Sequence, residues 1–218
     1  MIKLNLQFFG GRGSGSYTAG GASVGDLNGG GEGTDLPTAG WTPEAGSRFV
    51  HIGTTLKGAE GRIIGLDHEQ LVVIDKDGFV RAAVDGGEHS VGITANAAKY
   101  IKGNVVTHNH PNGGTFSPTD IISAGTTGAG EIRAASKRFN KTYSLKASSK
   151  ANGRGLAKAM RKAESRLEKQ WQSKLDGMVG RKYKSKESYE RQAYGHWNKI
   201  MGGWLRTNAG KYGYTYSD

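Results

Sequence analysis

The residues best suited to chemistry lie within 107–120, where His108, His110 and Asp120 offer two imidazoles and a carboxylate. Side chains at positions i and i+2 of an extended backbone point to the same side, so both histidine rings can face one point. Three nitrogen and oxygen ligands that leave a fourth position open are the usual arrangement of a catalytic zinc site. The spacing therefore predicts a site for Zn²⁺, with the three ligand atoms within about 4 Å of one another.

Three local elements must position these side chains: the end of a strand, a tight turn and the start of a helix. The apolar run at 104–107 predicts a buried strand that leads into the first histidine. Asn-Gly-Gly at 112–114 contains residues that tolerate positive φ and is typical of a turn. Ser117 followed by Pro118 is typical of a helix N-cap and first helical residue, which puts Asp120 one turn inside the helix. A chance pair of loop histidines beside a turn is the competing interpretation.

The same stretch resembles the metal-binding signature of the JAB/MPN (JAMM) metallopeptidases, and its residues are most similar to those of the RadC-like branch. The resemblance consists of a His-x-His-Pro sequence that begins at His108 and a Ser-x-x-Asp sequence that ends at Asp120. The family pattern has one more residue between the second histidine and the serine, and the deletion here falls in the Asn-Gly-Gly turn. The resemblance covers about residues 60–146, which is under half of the chain.

This resemblance implies a zinc-dependent peptidase or isopeptidase, which hydrolyses an amide bond with metal-activated water. It implies that His108, His110 and Asp120 bind the zinc ion. It also implies that Ser117 donates a hydrogen bond to the developing oxyanion. Because Ser117 is also the predicted helix cap, it can have both roles.

The general base in such enzymes is a glutamate at the beginning of an upstream strand. Glu69 directly precedes the predicted strand at 70–75 and occupies this place. Glu60 is the rival candidate, at a predicted loop or helix end. A solvated carboxylate at a strand edge is the alternative interpretation of Glu69.

The remaining pattern intermixes helices and strands, which predicts an α/β fold, a JAMM-like mixed sheet flanked by helices. Asp77-Gly78 is a strong hairpin signal between two β-branched runs, and Thr94 can cap a short helix. The predicted strands are 62–66, 70–75, 79–84, 104–107, 131–136 and 142–146, and the predicted helices in this part are 95–101 and the one that follows Ser117.

Composition divides the chain into three parts. Residues 1–45, with 12 glycines in the first 40, are predicted to be a flexible, disordered tail, because they cannot bury enough apolar surface to fold. Residues 46–146 form the predicted JAMM-like metal-binding domain. Residues 147–218 show apolar stripes at spacings of three and four, which predicts a basic helical extension with its tryptophans buried. Residues 212–216 are expected to be a loose tail.

Charge is distributed unevenly, and this suggests a second role. Residues 1–130 carry 9 Lys and Arg against 12 Asp and Glu, whereas residues 131–218 carry 21 against 7, so the net charge of +11 comes from the second part. Besides a protein or peptide substrate, we therefore expect weak, sequence-independent nucleic-acid binding through residues 131–218. The alternative to an enzyme is a phage structural, head-associated or nucleic-acid-binding protein that uses the scaffold without catalysis.

Location is indicated only indirectly. The absence of cysteine fits a reducing interior, and no apolar run approaches the length of a membrane span. The first dozen residues, apolar and then glycine-rich, resemble leaders on proteins of phages and mobile elements. We therefore expect a cytoplasmic location in a bacterial host or association with a virion, and no membrane partner.

Overall fold

The structure is a computed structural model that describes residues 33–41 and 52–218. Within these ranges the fold is mixed α/β, as predicted, with one seven-stranded sheet and five α-helices. The strands are β1 (Thr34–Leu36), β2 (Gln70–Ile74), β3 (Val80–Asp85), β4 (Val105–Asn109), β5 (Glu131–Ser136), β6 (Lys141–Ala147) and β7 (Tyr214–Ser217). The helices are α1 (Ile52–Ile63), α2 (Ala95–Ile101), α3 (Pro118–Thr127), α4 (Gly153–Asp176) and α5 (Lys186–Asn208).

The sheet order is β1-β3-β2-β4-β5-β6-β7, and β4 with β5 is the parallel pair. Helix α3 connects these two strands, as a parallel crossover requires. The other neighbouring strands pair antiparallel. His108 of β4 lies between Leu71 of β2 on one side and Ala134 of β5 on the other. The histidine strand is therefore central in the sheet.

The two faces of the sheet carry different helices. On the face called here the α1 face, Ala59 and Ile63 of α1 pack against Val72 and Ile74. Side chains alternate along a strand, so the neighbours of these residues lie on the opposite face. That face, called here the α5 face, is covered by α2 and by α3, α4 and α5 together.

The predicted apolar stripes of the C-terminal helices are confirmed as core. Trp171, Trp197 and Trp204 are 4%, 5% and 8% exposed, and they share one cluster with residues of β5 and β6. The last two helices therefore cover the same sheet that carries the histidines. Among the helices of the described residues, none has the length and hydropathy needed to span a membrane.

At the N-terminal side one prediction is wrong, and another is contradicted only at β1. Residues 62–66 do not form a strand, because α1 continues to Ile63 and buries Thr55, Ala59 and Ile63 at helical spacing. A short apolar run does not separate a strand from a helix end, which explains the error. The predicted flexible tail at 1–45 lies outside the described residues except for 33–41, where β1 pairs with β3 and is therefore ordered in the sheet.

The loose tail predicted at 212–216 is also wrong. Residues Ala209–Tyr212 form a 3₁₀ helix, and Gly213 at φ 76° turns the chain into β7. Strand β7 then pairs with β6 along Tyr214–Ser217. The alternation of Tyr and Thr in this segment favours a strand, and the interpretation as a loose tail did not take it into account.

Candidate metal centre

The structure brings His108, His110 and Asp120 together at the end of β4. The two Nε2 atoms lie 2.9 Å apart, and each lies 3.6 Å from a different carboxylate oxygen of Asp120. Atoms bound at 2.0–2.2 Å to a tetrahedral zinc ion lie roughly 3.3–3.6 Å from one another. The two imidazole–carboxylate distances lie in this range, the two imidazole nitrogens are slightly closer together, and the donor set has the chemistry of a metal site. It is the one group of three or more potential His, Asp or Glu ligands in residues 33–41 and 52–218.

A capping box at the start of α3 fixes the carboxylate of this group. The Ser117 Oγ accepts a hydrogen bond from the Asp120 amide at 3.2 Å, and Asp120 Oδ2 accepts one from the Ser117 amide at 2.6 Å. Burial would raise the pKa of Asp120, but His108, His110 and the Ser117 amide together hold it well below its usual range. Asp120 is therefore an anion that faces the two imidazoles, as a metal ligand must be.

The ring of His110 is oriented by the turn that follows it. Its Nδ1 lies 3.0 Å from the Gly114 carbonyl, which can only accept, so Nδ1 carries the proton and Nε2 presents a lone pair. Metal-bound histidines commonly donate their other nitrogen in this way. The Nδ1 of His108 is buried and has no hydrogen-bond partner among the described residues. His110 is therefore the better oriented of the two imidazoles.

Glu69 lies at the start of β2, beside His110. Asn109 holds this segment, because its side chain accepts from the Gln70 amide at 2.7 Å and donates to the His68 carbonyl at 2.8 Å. Burial raises the pKa of Glu69 to about 7, with His110 opposing the rise and Asp120 adding to it. The couplings to His110 and Asp120 put the Glu69 carboxyl within electrostatic reach of the His-His-Asp group. Asn109 thus holds the start of the neighbouring strand.

The rival carboxylate, Glu60, is on the other side of the sheet. Its Oε1 accepts from Arg133 Nε at 2.6 Å and from Thr107 Oγ1 at 3.2 Å. Thr107 precedes His108 in β4, so its side chain points to the α1 face, away from the imidazoles. Glu60 is thus occupied by an ion pair on the face opposite the candidate metal centre.

Helix α5 supplies residues that the sequence did not associate with the site. Trp197 Nε1 donates to the Phe116 carbonyl at 3.2 Å, and Asn198 Oδ1 accepts from the Thr115 amide at 2.6 Å. Both contacts are made to the loop between the second histidine and α3. The one available signal was a polar residue, Asn198, directly beside an apolar stripe of a predicted helix.

Comparisons of the chain with protein-family models, with curated proteins and with solved structures give no match. What the site does must therefore be argued from its own geometry. That geometry comprises a His-His-Asp group able to hold a metal ion, a neighbouring carboxyl with a raised pKa, and a serine hydroxyl at a helix start.

The turn at Gly113 provides a direct test of the loop geometry. Gly113 has φ 90°, and a Cβ built there would lie 2.7 Å from the Cβ of Arg138. We expect Gly113→Ala to lower the free energy of unfolding by about 1–3 kcal/mol, since left-handed backbone and a steric contact both oppose it. Chemical denaturation measures this value.

Gly114→Ala is the matched control for this substitution. A Cβ at Gly114 would make ordinary contacts of 3.6–3.8 Å, and its backbone is outside the left-handed region. We expect the free energy of unfolding to change by less than about 1 kcal/mol. Equal losses in the two variants would contradict the turn geometry described here.

Proposed function

We propose that this chain is a zinc-dependent peptidase or isopeptidase of the JAMM type. The observation that carries the proposal is the convergence of two imidazole nitrogens and a carboxylate beside a second carboxyl, that of Glu69. Two imidazoles with one carboxylate, and room for water or substrate, are characteristic of catalytic zinc. The resemblance of the motif to the JAMM signature supports the same assignment.

In this proposal each side chain has a defined task. Zinc, when bound by His108, His110 and Asp120, would lower the pKa of a water molecule to roughly 7 and polarise a carbonyl. Glu69, with its pKa near neutrality, accepts the proton of the attacking water and transfers it to the leaving amine nitrogen.

Ser117 has a task that is compatible with its place in the capping box. The cap uses a lone pair of Oγ, because Oγ accepts the hydrogen bond from the Asp120 amide. A hydroxyl group also has one proton to donate. In the proposed reaction that proton is directed to the carbonyl oxygen of the substrate as negative charge develops on it.

The experiment that tests this function is metal-dependent hydrolysis. Purified protein would be assayed on fluorogenic peptides and on an isopeptide-linked substrate, before and after removal of metal by a chelator. We expect hydrolysis to stop with the chelator and to return when zinc is added. Hydrolysis that survives complete metal removal would contradict the proposal. So would a zinc-loaded protein that cleaves no amide in either substrate class.

A second candidate function, nucleic-acid binding, is favoured by the outer surface of α4. This helix contains seven Lys and Arg against three Asp and Glu. Five exposed basic side chains lie along this helix over about 22 Å, at a rise of 1.5 Å per residue. They are Arg154, Lys158, Lys162, Arg166 and Lys169, called here the α4 basic stripe. Because the tryptophans are buried, contacts would be made to phosphates and not by stacking on bases.

We expect binding of labelled DNA or RNA in the range of roughly 10⁻⁴–10⁻⁶ M, without sequence preference and steeply weakened by salt. Changing Lys158, Lys162 and Arg166 together to Glu should reduce affinity at least tenfold. It should also reduce the slope of log K against log salt by about 2–3, since each phosphate contact contributes about 0.9. Fluorescence anisotropy at several salt concentrations measures both quantities.

The control changes the same amount of charge elsewhere. Lys57, Lys99 and Lys102 are exposed lysines outside α4, so replacing them by Glu alters the net charge equally. We expect this variant to bind almost as wild type. Equal weakening in both variants would show that overall charge, and not the α4 basic stripe, is responsible.

A further inference from the structure

Helix α5 holds the loop that connects the two halves of the metal centre. Trp197 Nε1 donates to the Phe116 carbonyl at 3.2 Å. Asn198 uses both ends of its amide: Oδ1 accepts from the Thr115 amide at 2.6 Å, and Nδ2 donates to the Gly113 carbonyl at 3.3 Å. Neighbouring residues of α5 thus contact three positions of the loop, Gly113, Thr115 and Phe116, all between the second histidine and α3.

The Asn198 contacts lie on both sides of one peptide position, Gly114. Its Nδ2 bonds the carbonyl of Gly113, and its Oδ1 bonds the amide of Thr115. The intervening Gly114 carbonyl is the group that accepts from Nδ1 of His110 at 3.0 Å. The Gly114 carbonyl and the Thr115 amide belong to one planar peptide group, so the hydrogen bond that orients the amide also fixes the direction of the carbonyl.

Asn198 is itself held in place by the sheet. Its Nδ2 also donates to the hydroxyl oxygen of Tyr143 at 2.9 Å, and Tyr143 is buried in β6 on the α5 face. The Nδ2 of Asn198 is thus connected to both the core and the loop, and its Oδ1 to the loop. The Gly113 carbonyl also accepts from Ser136 Oγ at 3.3 Å, so Asn198 is one of two side chains that hold it.

We propose that Asn198 is a positioning residue of the metal centre, which fixes the Gly114 carbonyl and through it the tautomer and ring orientation of His110. The inference rests on the proposed zinc site. It makes α5, which follows the motif by many residues, a required part of the centre. Groups that orient metal ligands typically change metal affinity 10–100-fold when removed. Asn198 acts through one further carbonyl, so the lower end of this range applies.

The test compares zinc affinity in Asn198→Ala and Asn208→Ala. Asn208 is the matched control, because it lies on the same helix and its side chain makes only local contacts. Its Nδ2 donates to the Trp204 carbonyl, and its Oδ1 accepts from Lys211. Competition with a zinc-binding indicator should give an affinity about tenfold weaker for Asn198→Ala. For Asn208→Ala the affinity should stay within about twofold of wild type. Affinity is measured on the full chain, with circular dichroism to verify folding.

Two further readouts separate positioning from general stability. In zinc-free wild type, nitrogen NMR of the imidazoles should show His110 with its proton on Nδ1, and Asn198→Ala should show a mixture of tautomers. Asn198→Asp keeps the acceptor for the Thr115 amide but lacks the donor to the Gly113 carbonyl. It should fold and lose part of the zinc affinity.

The outcomes distinguish this inference from the proposed function. If the Asn198 variants fold, bind zinc as tightly as wild type and keep the His110 tautomer of wild type, the positioning role alone is overturned. Wild type that binds no zinc would overturn the proposed function and this inference together. Weaker zinc binding in both Asn198 variants, with Asn208→Ala unaffected, would support the positioning role.

Discussion

Glu69→Gln is expected to bind zinc like wild type and to lose hydrolysis by about 10²–10⁴-fold in kcat. Glutamine has nearly the volume of glutamate, so the packing at the start of β2 should be preserved. What it lacks is a group that can accept a proton at neutral pH. The pKa of Glu69, raised by burial to about 7, suits this transfer, and its position beside His110 brings it to the site. Initial rates at saturating substrate and zinc measure the loss.

Glu60→Gln is the control for this variant, because Glu60 is also partly buried but lies on the α1 face with Arg133. We expect it to retain hydrolysis, with lower stability because the guanidinium of Arg133 loses one of its partners. Assays well below the unfolding temperature remove this second effect. Full activity in Glu69→Gln together with loss in Glu60→Gln would assign the base to Glu60 and contradict the geometry.

His110→Ala should abolish both zinc binding and hydrolysis. Ligand that binds only the folded state stabilises it by about 4 kcal/mol when its concentration is 1,000 times Kd. Wild type should therefore show an increase of this size on addition of zinc. His110→Ala, which removes the imidazole with the oriented tautomer, should show almost none. Chemical denaturation with and without zinc measures the difference.

His196→Ala is the matched histidine control. His196 is on α5, where its burial and the charges of Lys199, Lys174 and Arg181 lower its pKa. It takes no part in the His-His-Asp group. We expect this variant to be stabilised by zinc like wild type. A zinc effect that survives in His110→Ala but disappears in His196→Ala would locate the metal elsewhere.

The part of the site that could be predicted from sequence is the part that is local in the chain. Strand end, turn and capped helix start follow one another within residues 107–120, so spacing and turn chemistry were sufficient to predict that the three side chains converge. The Asp77-Gly78 hairpin and the Thr94 cap were predictable for the same reason. Each depends on backbone preferences of neighbouring residues.

The contributions that were missed depend on distant contacts. Asn198 is 83 residues away from Thr115, and neither residue carries a signal for the other. Asn109 lies between the two histidines in sequence, yet its side chain accepts from the Gln70 amide at the start of β2. Strand β7 lies at the edge of the sheet because it pairs with β6, which is distant in the sequence. Polar groups that bond across such separations have no sequence period that identifies their partners.

We expect His108, His110 and Asp120 to hold one zinc ion. Elemental analysis of protein purified without added metal tests it most directly. We predict close to one zinc per chain in wild type, and a loss of that zinc when Asp120 is changed to Ala, since the remaining two imidazoles do not complete a site. Protein that contains no metal, and that takes up no zinc after incubation with an excess and removal of the unbound ion, would contradict the claim.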